Sequence, residues 1–529
     1  MVKLLRVLLV DTESGIWKHA LSNYQLLKLL EDDFEIIHVT CDGAFKSLCT
    51  VRSGKNLDAS SNKTQRELIC KSCEINTSLV KEKQKSKEIK LSDFIDYRTT
   101  KNILSKIESL NTVKKYEFCY QGVPVGKLAV YETILKYKIN NLQFNDIQKK
   151  FYIEKIETAL ISAQAAIKIM DKFKPDIVIV NNPGYATTGA FSEVALRENI
   201  RTFYFSNPGV FSEYYSTANL YELKLGSWDI DLTPIWNPKK KKISIVSAIR
   251  IWNYLRFTKN ANLPWLYSKK YTGKNIRNIL GIPPTNKLIL AVMSSEDEKY
   301  AAEMRGLRTF EANKVFKSQL EWIKELVEWS KKQLNLTLII RPHPREFSNK
   351  RESVNSSNSV IYMEYLESLP SNIKISSHKD DLSVYDYFSQ IDILTTGWSS
   401  VGLDALLHNI PVVNYDRKLI RYPETLALTG RTKNEYFNNL ASILSGRIEL
   451  NFKTRAKTWF EFKFLINPIK LGGGILDRRI AGFSLDNKFF RKVLHNLNQN
   501  LVKNLELSIP PASKDKERIK IILKNGISL

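Results

Sequence analysis

The sequence predicts an α/β fold of two parallel-sheet domains facing a cleft, with a cysteine-containing insertion in the first. Three observations lead there. The chain has 529 residues, too many for one ordinary core and enough for two large domains with additions. Short apolar runs recur, each ending in polar, Gly or Pro residues and followed by helical spacing, which is the pattern of strand–loop–helix units. The composition is globular, 43% apolar and 26% charged, and no apolar run approaches the roughly 20 residues of a membrane span.

Residues 1–206 form the first domain. Arg6 to Val10 reads as a buried strand. The apolar start is short, Arg6 interrupts it, and Asp11-Thr12-Glu13 stands where a signal peptide would carry small residues, so a cytoplasmic location is expected. Asp11 to Gly15 is a strand-end loop, Leu21 to Leu30 has helical spacing, and Glu35 to Thr40 is a second strand. An insertion at about 41–100 holds four of the five cysteines. Cys70 and Cys73 have zinc-knuckle spacing, and Cys41 and Cys49 are set wider. Cytosolic proteins seldom keep disulfides, so the four thiolates can enclose a structural zinc; an iron–sulfur cluster and unrelated thiols are the alternatives. Lys81 to Lys90 reads as an exposed charged connector. Tyr120 to Gly126 is turn-rich, and helical pattern dominates from Tyr131 to Met170. Pro175 to Val180 is a buried strand ending at Asn181-Asn182-Pro183-Gly184-Tyr185, a helix runs to about Glu198, and Thr202 to Phe205 is the next strand.

Residues 207–281 connect the domains, with much Trp, Tyr and Lys and little periodicity. Net charge is +25, which suits nucleic acid, anionic lipid or acidic substrates. No nucleic-acid-binding motif accompanies it, so nucleic acid is not an expected partner. Lys239 to Lys242 precede an amphipathic stretch, Ile243 to Phe257, carrying Trp252, Tyr254 and Leu255. Such a stretch can lie on a bilayer interface, or pack as an ordinary helix. Asp229-Ile230-Asp231 lacks a preceding strand and reads as a solvated turn. Asn275 to Leu280 reads as helix, ended by Gly281-Ile282-Pro283-Pro284.

Residues 282–470 form the second domain. Lys287 to Val292 is its first strand. The following loop holds Ser294 and Ser295, which can meet a phosphate, with Arg305 and Arg308 beyond. Phe316 to Lys332 is an amphipathic helix. Leu336 to Ile340 is a strand, followed by Arg341-Pro342-His343-Pro344. A later strand ends at Thr395-Thr396, followed by Gly397-Trp398-Ser399-Ser400 and a helix from Val401 to Leu407 that carries Asp404. Ligands gather at the carboxyl ends of such strands. A stiffly held imidazole beside a guanidinium suits a phosphate. Ser399 and Ser400 at a helix start offer hydroxyls and amides to an anion, and Gly397 permits a tight turn and close approach. Taken singly, Arg-Pro-His-Pro is a loop and Ser-Ser an N-cap; both at strand ends of one α/β half point to a site. Thr432 to Ser445 reads as helix. Gly472-Gly473-Gly474 is a flexible turn without a phosphate fingerprint. Residues 471–529 form a terminal helical segment, with a helix over Asn487 to Leu505, that crosses back to the first domain.

The stretch from Leu336 to Asp416, with His343-Pro344 after one strand and Ser399-Ser400 after a later one, resembles the carboxyl-terminal domain of GT-B glycosyltransferases of bacterial surface polysaccharides. Capsule and lipopolysaccharide transferases, Kdo- and polysialyltransferase-like enzymes and teichoic-acid glycerophosphotransferases share this pair of motifs. The resemblance implies two Rossmann-like domains, the first for acceptor and the second for nucleotide sugar. It implies that His343, Arg341, Ser399 and Ser400 hold the donor phosphate, that a cytidine nucleotide (a CMP-linked sugar) is favoured, and that catalysis needs no metal. Asp404 stands where related patterns place an acidic residue, more commonly Glu, against the sugar or ribose. Asp11, Glu13 and His19 become candidates for the acceptor-side base. The expected activity is transfer of a sugar from a nucleotide donor to a surface glycan or lipid-linked precursor, at the inner face of the plasma membrane. The alternatives are a CDP-glycerol-type glycerophosphotransferase, a sugar-nucleotide epimerase, and a non-catalytic zinc-containing basic binding protein.

Overall fold

The computed structural model describes residues 4–471 and 513–525, apart from 16, 59, 82–84, 207–216, 226–231, 238, 241, 262–266, 308–314, 350–352, 367–368, 378, 416–421 and 448–451. The first unit runs β1 (Arg6–Asp11), α1 (Trp17–Leu30), β2 (Glu35–Thr40), α2 (Thr50–Gly54), α3 (Lys63–Lys81), β3 (Lys87–Lys90), α4 (Tyr97–Glu108), α5 (Thr112–Glu117), α6 (Val125–Tyr137), α7 (Asp146–Phe173), β4 (Ile177–Val180), α8 (Ala186–Arg197), β5 (Arg201–Ser206) and β6 (Thr217–Glu222). The connector supplies α9 (Ile245–Lys259) and α10 (Ile276–Leu280). The second unit runs β7 (Lys287–Val292), α11 (Glu296–Arg305), α12 (Gln319–Lys331), β8 (Leu336–Arg341), α13 (Ser357–Leu366), β9 (Ile373–Ile375), β10 (Ile393–Thr396), α14 (Val401–Leu407), β11 (Val412–Asn414), β12 (Leu428–Thr429), α15 (Lys433–Leu444) and α16 (Phe452–Phe460). The chain then forms β13 (Ile469–Lys470) and α17 (Ser513–Asn525).

Each unit is a doubly wound sheet. Strands β5-β4-β1-β2-β3 of the first and β12-β11-β10-β7-β8-β9 of the second are parallel throughout. The order reverses beside β1 and beside β7, so the crevices outside β1/β4 and β7/β10 are the places where a ligand can enter between diverging loops. Both faces of each sheet are covered, which is why the strands are apolar runs. In β1, Leu8 and Val10 face α6, α7 and α8, while Val7 and Leu9 face α1 and α17. In β7, Leu288 and Leu290 face α14 and α16, while Ile289 and Ala291 face α12 and α15. The two units are thus both Rossmann-like. Among the described residues no helix is long and apolar enough to cross a membrane.

Three expectations change. Lys87–Lys90 is not connector but edge strand β3, paired parallel to β2; a charged edge strand discourages further pairing. The 1–206 boundary falls short, because β6 pairs antiparallel with β5. The 470 boundary overreaches, because β13 pairs antiparallel with β6 and so belongs to the first sheet. Gly472–Gly474 and Asn487–Leu505 lie outside the described residues.

The units meet along α6 and α11, fastened by buried polar contacts. Lys138, beyond the end of α6, donates to Phe347 O and Val354 O, each at 2.8 Å. Arg305 at the end of α11 pairs with Glu193 of α8 at 2.9 Å and donates to Pro183 O at 3.2 Å. Arg345 reaches Leu135 O at 2.8 Å.

Candidate functional site

Strand β8 ends at Arg341, and the two prolines that follow hold the chain extended into a single 3-10 turn, Pro344–Glu346. His343 caps that turn: its Nδ1 accepts the Arg345 N–H at 3.2 Å. Burial first, then the charges of Arg345, Arg341 and Lys138, push the imidazole down to about 4 against the pull of Asp297. The ring is therefore neutral near pH 7. With Nδ1 as acceptor, the proton sits on Nε2, which makes His343 a hydrogen-bond donor of fixed tautomer. The Tyr267 ring packs edge-on against it, centroids 5.7 Å apart.

Arg341 is buried, 6% exposed. It donates to Ser376 Oγ, to Leu382 O at 3.0 Å, and lies over the Tyr387 ring. Among the described residues no carboxylate forms an ion pair with it. Burial lowers its pKa although Asp380 and Asp386 favour its charge from beyond ion-pair distance, and a bound anion would offset that cost.

A cavity of about 120 Å³ opens here, and Arg341, His343, Ser399, Ser400 and Asp404 line it together. Val292, at the end of β7, lines it too, so the cavity sits in the crevice where the strand order reverses. Asp404, in α14, is 3% exposed and burial raises it to about 6. Its two oxygens accept from Tyr254 at 2.9 Å and Tyr385 at 2.8 Å, which resist that rise. Tyr267, Ser268 and Tyr385 also line the cavity. Sequence reasoning missed these three, and Tyr254 behind Asp404. They come from the connector and from a 3-10 turn at Val384–Asp386, where no periodicity marks them; the surviving signal is the density of Tyr in the connector.

Other expected donor contacts go elsewhere. The Ser294 backbone is tied to the Gln319 amide at 2.7 and 2.9 Å, and the Ser295 hydroxyl donates to Asp297 at the start of α11; neither serine lines the cavity. Gly397 does not adopt the left-handed conformation. A Cβ there would stand 2.8 Å from the Tyr415 ring, so packing rather than turn geometry or ligand approach requires glycine. Arg305 is taken by Glu193. Arg308, Asp229 and Asp231 lie outside the described residues.

In the first unit, Asp11 and Glu13 are closed off from solvent, at 1% and 0% exposure. Asp11 turns to His38 on β2, 3.3 Å away. Burial raises its carboxyl, and His38, with Ser14 and Asn23, more than offsets this and holds it below the usual range. Glu13 accepts from Thr187 at 3.3 Å, in a network that continues through Thr50 to Glu132 and Lys155. A base must reach an acceptor hydroxyl within about 3 Å, and neither carboxylate is open to one in this conformation. His19 lies in α1, its side chain outside the described set. Asn181, just past β4, is buried with its Nδ2 unpartnered among the described residues. Asn182 instead closes its own turn by accepting the Gly184 N–H at 2.9 Å.

Among the described residues the four cysteines of the expected zinc site are not grouped as metal ligands. Cys41, Cys49, Cys70 and Cys73 lie near enough to influence one another's titration. Yet among the described residues no group of three or more His, Cys, Asp or Glu is placed to hold a metal ion. Three of the four thiols are otherwise engaged. Cys49 caps α2 by accepting the Arg52 N–H, the Arg52 guanidinium donates to Cys70 Sγ at 2.9 Å, and Cys73 packs on Gly15. Burial pushes the Cys41 thiol up to about 12 and raises Cys49 and Cys73.

No family model matches the sequence, nor does any curated protein sequence. Among solved structures, the chain is similar to a UDP-GlcNAc 2-epimerase from Neisseria meningitidis bound to UDP-GlcNAc, with 12% identity, 87% of this chain and 100% of that chain covered, and a TM-score of 0.25. It is similar to the β-Kdo 2,7 transferase of Thermosulfurimonas dismutans KpsC, with 14% identity, 60% and 84% coverage and a TM-score of 0.32. It is also similar to the spinosyn rhamnosyltransferase SpnG complexed with thymidine diphosphate, with 7% identity, 87% and 96% coverage and a TM-score of 0.27.

Proposed function

We propose that the protein transfers a glycosyl group from a nucleotide-activated sugar, a CMP-linked one in preference, to a surface glycan or its lipid-linked precursor, with the donor phosphate held in the cavity at the ends of β7, β8 and β10. The observation that carries this reading is Arg341, a buried cation with no ion-pair contact among the described residues, lining one cavity with the fixed Nε2–H donor of His343. As the bond from the sugar to the phosphate breaks, charge grows on the phosphate oxygens. A fixed guanidinium and imidazole N–H stabilise that charge without rearranging. His343 acts by donating a hydrogen bond rather than as a cationic acid, since its ring is neutral near pH 7. Asp404, with its tyrosine donors, accepts from a ribose or sugar hydroxyl. Pockets that enclose a whole small ligand span roughly 300–1,000 Å³, so a cavity of about 120 Å³ takes the phosphoryl part and the hydroxyl beside it that meets Asp404, and leaves the rest of the donor outside.

The test is a thermal-shift panel of CMP, CDP, UDP, GDP and ADP on wild type and His343→Ala. A ligand that binds only the folded protein raises its melting temperature. A shift with a cytidine nucleotide that is lost in the variant supports the reading. A panel without any shift removes it.

A further inference from the structure

Helix α9 is apolar on two sides, and only one of them is packed. Its inward side, Ile251, Tyr254 and Leu255, lies against the second unit's core, with the Tyr254 ring 4.8 Å from Phe460. Its outward side carries Ile245, Ile249 and Trp252, at i, i+4 and i+7, which are 80%, 55% and 60% exposed, and Val246 beside them is 61% exposed. A helix hydrophobic all round is normally buried all round, and apolar side chains clustered in solvent on one helical stripe mark a contact surface.

The charge around that stripe selects its partner. From Leu232 to Ser295 the chain contains no Asp or Glu. Lys239 and Lys242 stand exposed before the helix, and Arg256 continues the stripe with its guanidinium over the Trp252 ring at 5.6 Å. Arg250 and Lys259 flank it. Exposed Ile, Val and Trp framed by cations of one sign match the acyl chains and phosphates of an anionic bilayer, with Trp at the headgroup level. A second copy of this chain would bring the same cations face to face.

We propose that the outward face of α9 seats the protein on an anionic membrane surface. The inward face of the same helix donates the Tyr254 hydroxyl to Asp404 at 2.9 Å. Seating α9 therefore sets the cavity wall a helix diameter from the leaflet, within reach of an acceptor held there by a lipid.

The experiment is co-sedimentation of the full chain with phosphatidylcholine vesicles, with and without about one-third phosphatidylglycerol. Wild type should sediment with the anionic vesicles and be released by salt. Ile249→Glu with Trp252→Glu should abolish sedimentation. Lys242→Glu with Arg256→Glu should weaken it by at least about tenfold, at about fivefold per basic charge near the surface. All three proteins should keep one melting temperature, since these side chains are outside the packed face. Wild type remaining in the supernatant at low salt overturns the proposal, as does equal sedimentation of the variants. A wild-type dimer that Ile249→Glu with Trp252→Glu converts to monomer, with no vesicle binding, overturns it in favour of a second copy. These readouts involve no nucleotide, so they stand apart from the donor-site test.

Discussion

Replacing Arg341 with Met removes the buried charge and keeps most of the side-chain volume. Two opposite effects follow, and each can be sized. Two charge-assisted hydrogen bonds to a donor phosphate, at about 1.5–3 kcal/mol each, disappear. Affinity for CMP and CDP should therefore fall by about two to four orders of magnitude. The unliganded protein behaves differently. Ser376 keeps a partner, because the Tyr387 hydroxyl donates to it at 2.8 Å, so only Leu382 O loses its donor, at about 1–3 kcal/mol. Against this, a buried cation with no ion-pair contact among the described residues, whose burial costs several kcal/mol, is gone. The variant should melt at or above wild type without ligand and show no shift with nucleotide. Differential scanning fluorimetry with and without CDP reads both. A nucleotide shift as large as wild type would refute the phosphate assignment. A collapse of the unliganded variant would show that Arg341 serves the fold instead.

Other outcomes follow from the same structure. Glu346 accepts from Ser356 and from the Glu296 N–H, and burial raises it to about 7 from an ordinary 4.5. The native state then binds more protons than the unfolded state, so this group's contribution is full below about pH 4.5 and is lost as pH rises through about 7. Glu346→Gln should gain about 2–3 kcal/mol at pH 8 and nothing at pH 4, in melting curves across pH; a gain independent of pH would contradict this. His343, held at about 4, should put no limb in nucleotide binding between pH 5 and 8, whereas Asp404, at about 6, should weaken binding below about pH 6 as it protonates. Titration calorimetry in that range distinguishes them, and Asp404→Asn should abolish the fall. Arg305→Met leaves Glu193 only its long contact with Arg197, at 4.0 Å, at the junction of the units and should cost about 3 kcal/mol; adding Glu193→Gln should recover part of it, and a double-mutant cycle measures the coupling.

The strands of the second unit were legible because both faces are buried, so Lys287 to Val292 and Leu336 to Ile340 stand out as unbroken apolar runs. Arg341, His343, Ser399, Ser400 and Asp404 could be singled out together because each follows a strand end that the sequence marks. Tyr267, Ser268 and Tyr385 could not, because their place in the lining comes from tertiary packing of segments without periodicity. Short strands at sheet edges were equally hidden. Lys87-Glu88-Ile89-Lys90 carries the charge that suits an edge, and Ile469–Lys470 is two residues long. Cysteine spacing suggested a metal, but spacing carries no information about Arg52, whose guanidinium takes Cys70. Ser295 and Arg305 had the chemistry for a phosphate, and local contacts with Asp297 and Glu193 claim them, while the Ser294 hydroxyl stays buried outside the cavity lining.

The first sheet takes β13 and α17 from the far end of the chain. Ile469 pairs with Ala218, and Ile519, Ile522 and Leu523 cover the side of the sheet that holds Val7 and Leu9. On the ribosome, the first unit emerges long before these pieces exist. At about 5–20 residues per second, roughly 15–60 s separates β6 from α17. Through that interval the edge of β6 is unpaired and an apolar sheet face lacks part of its cover, the form in which a nascent chain adds to the wrong partner. Slower elongation lengthens this exposure, and the yield of native protein should depend on translation speed and on the chaperones that hold the unfinished first unit until the second has been made.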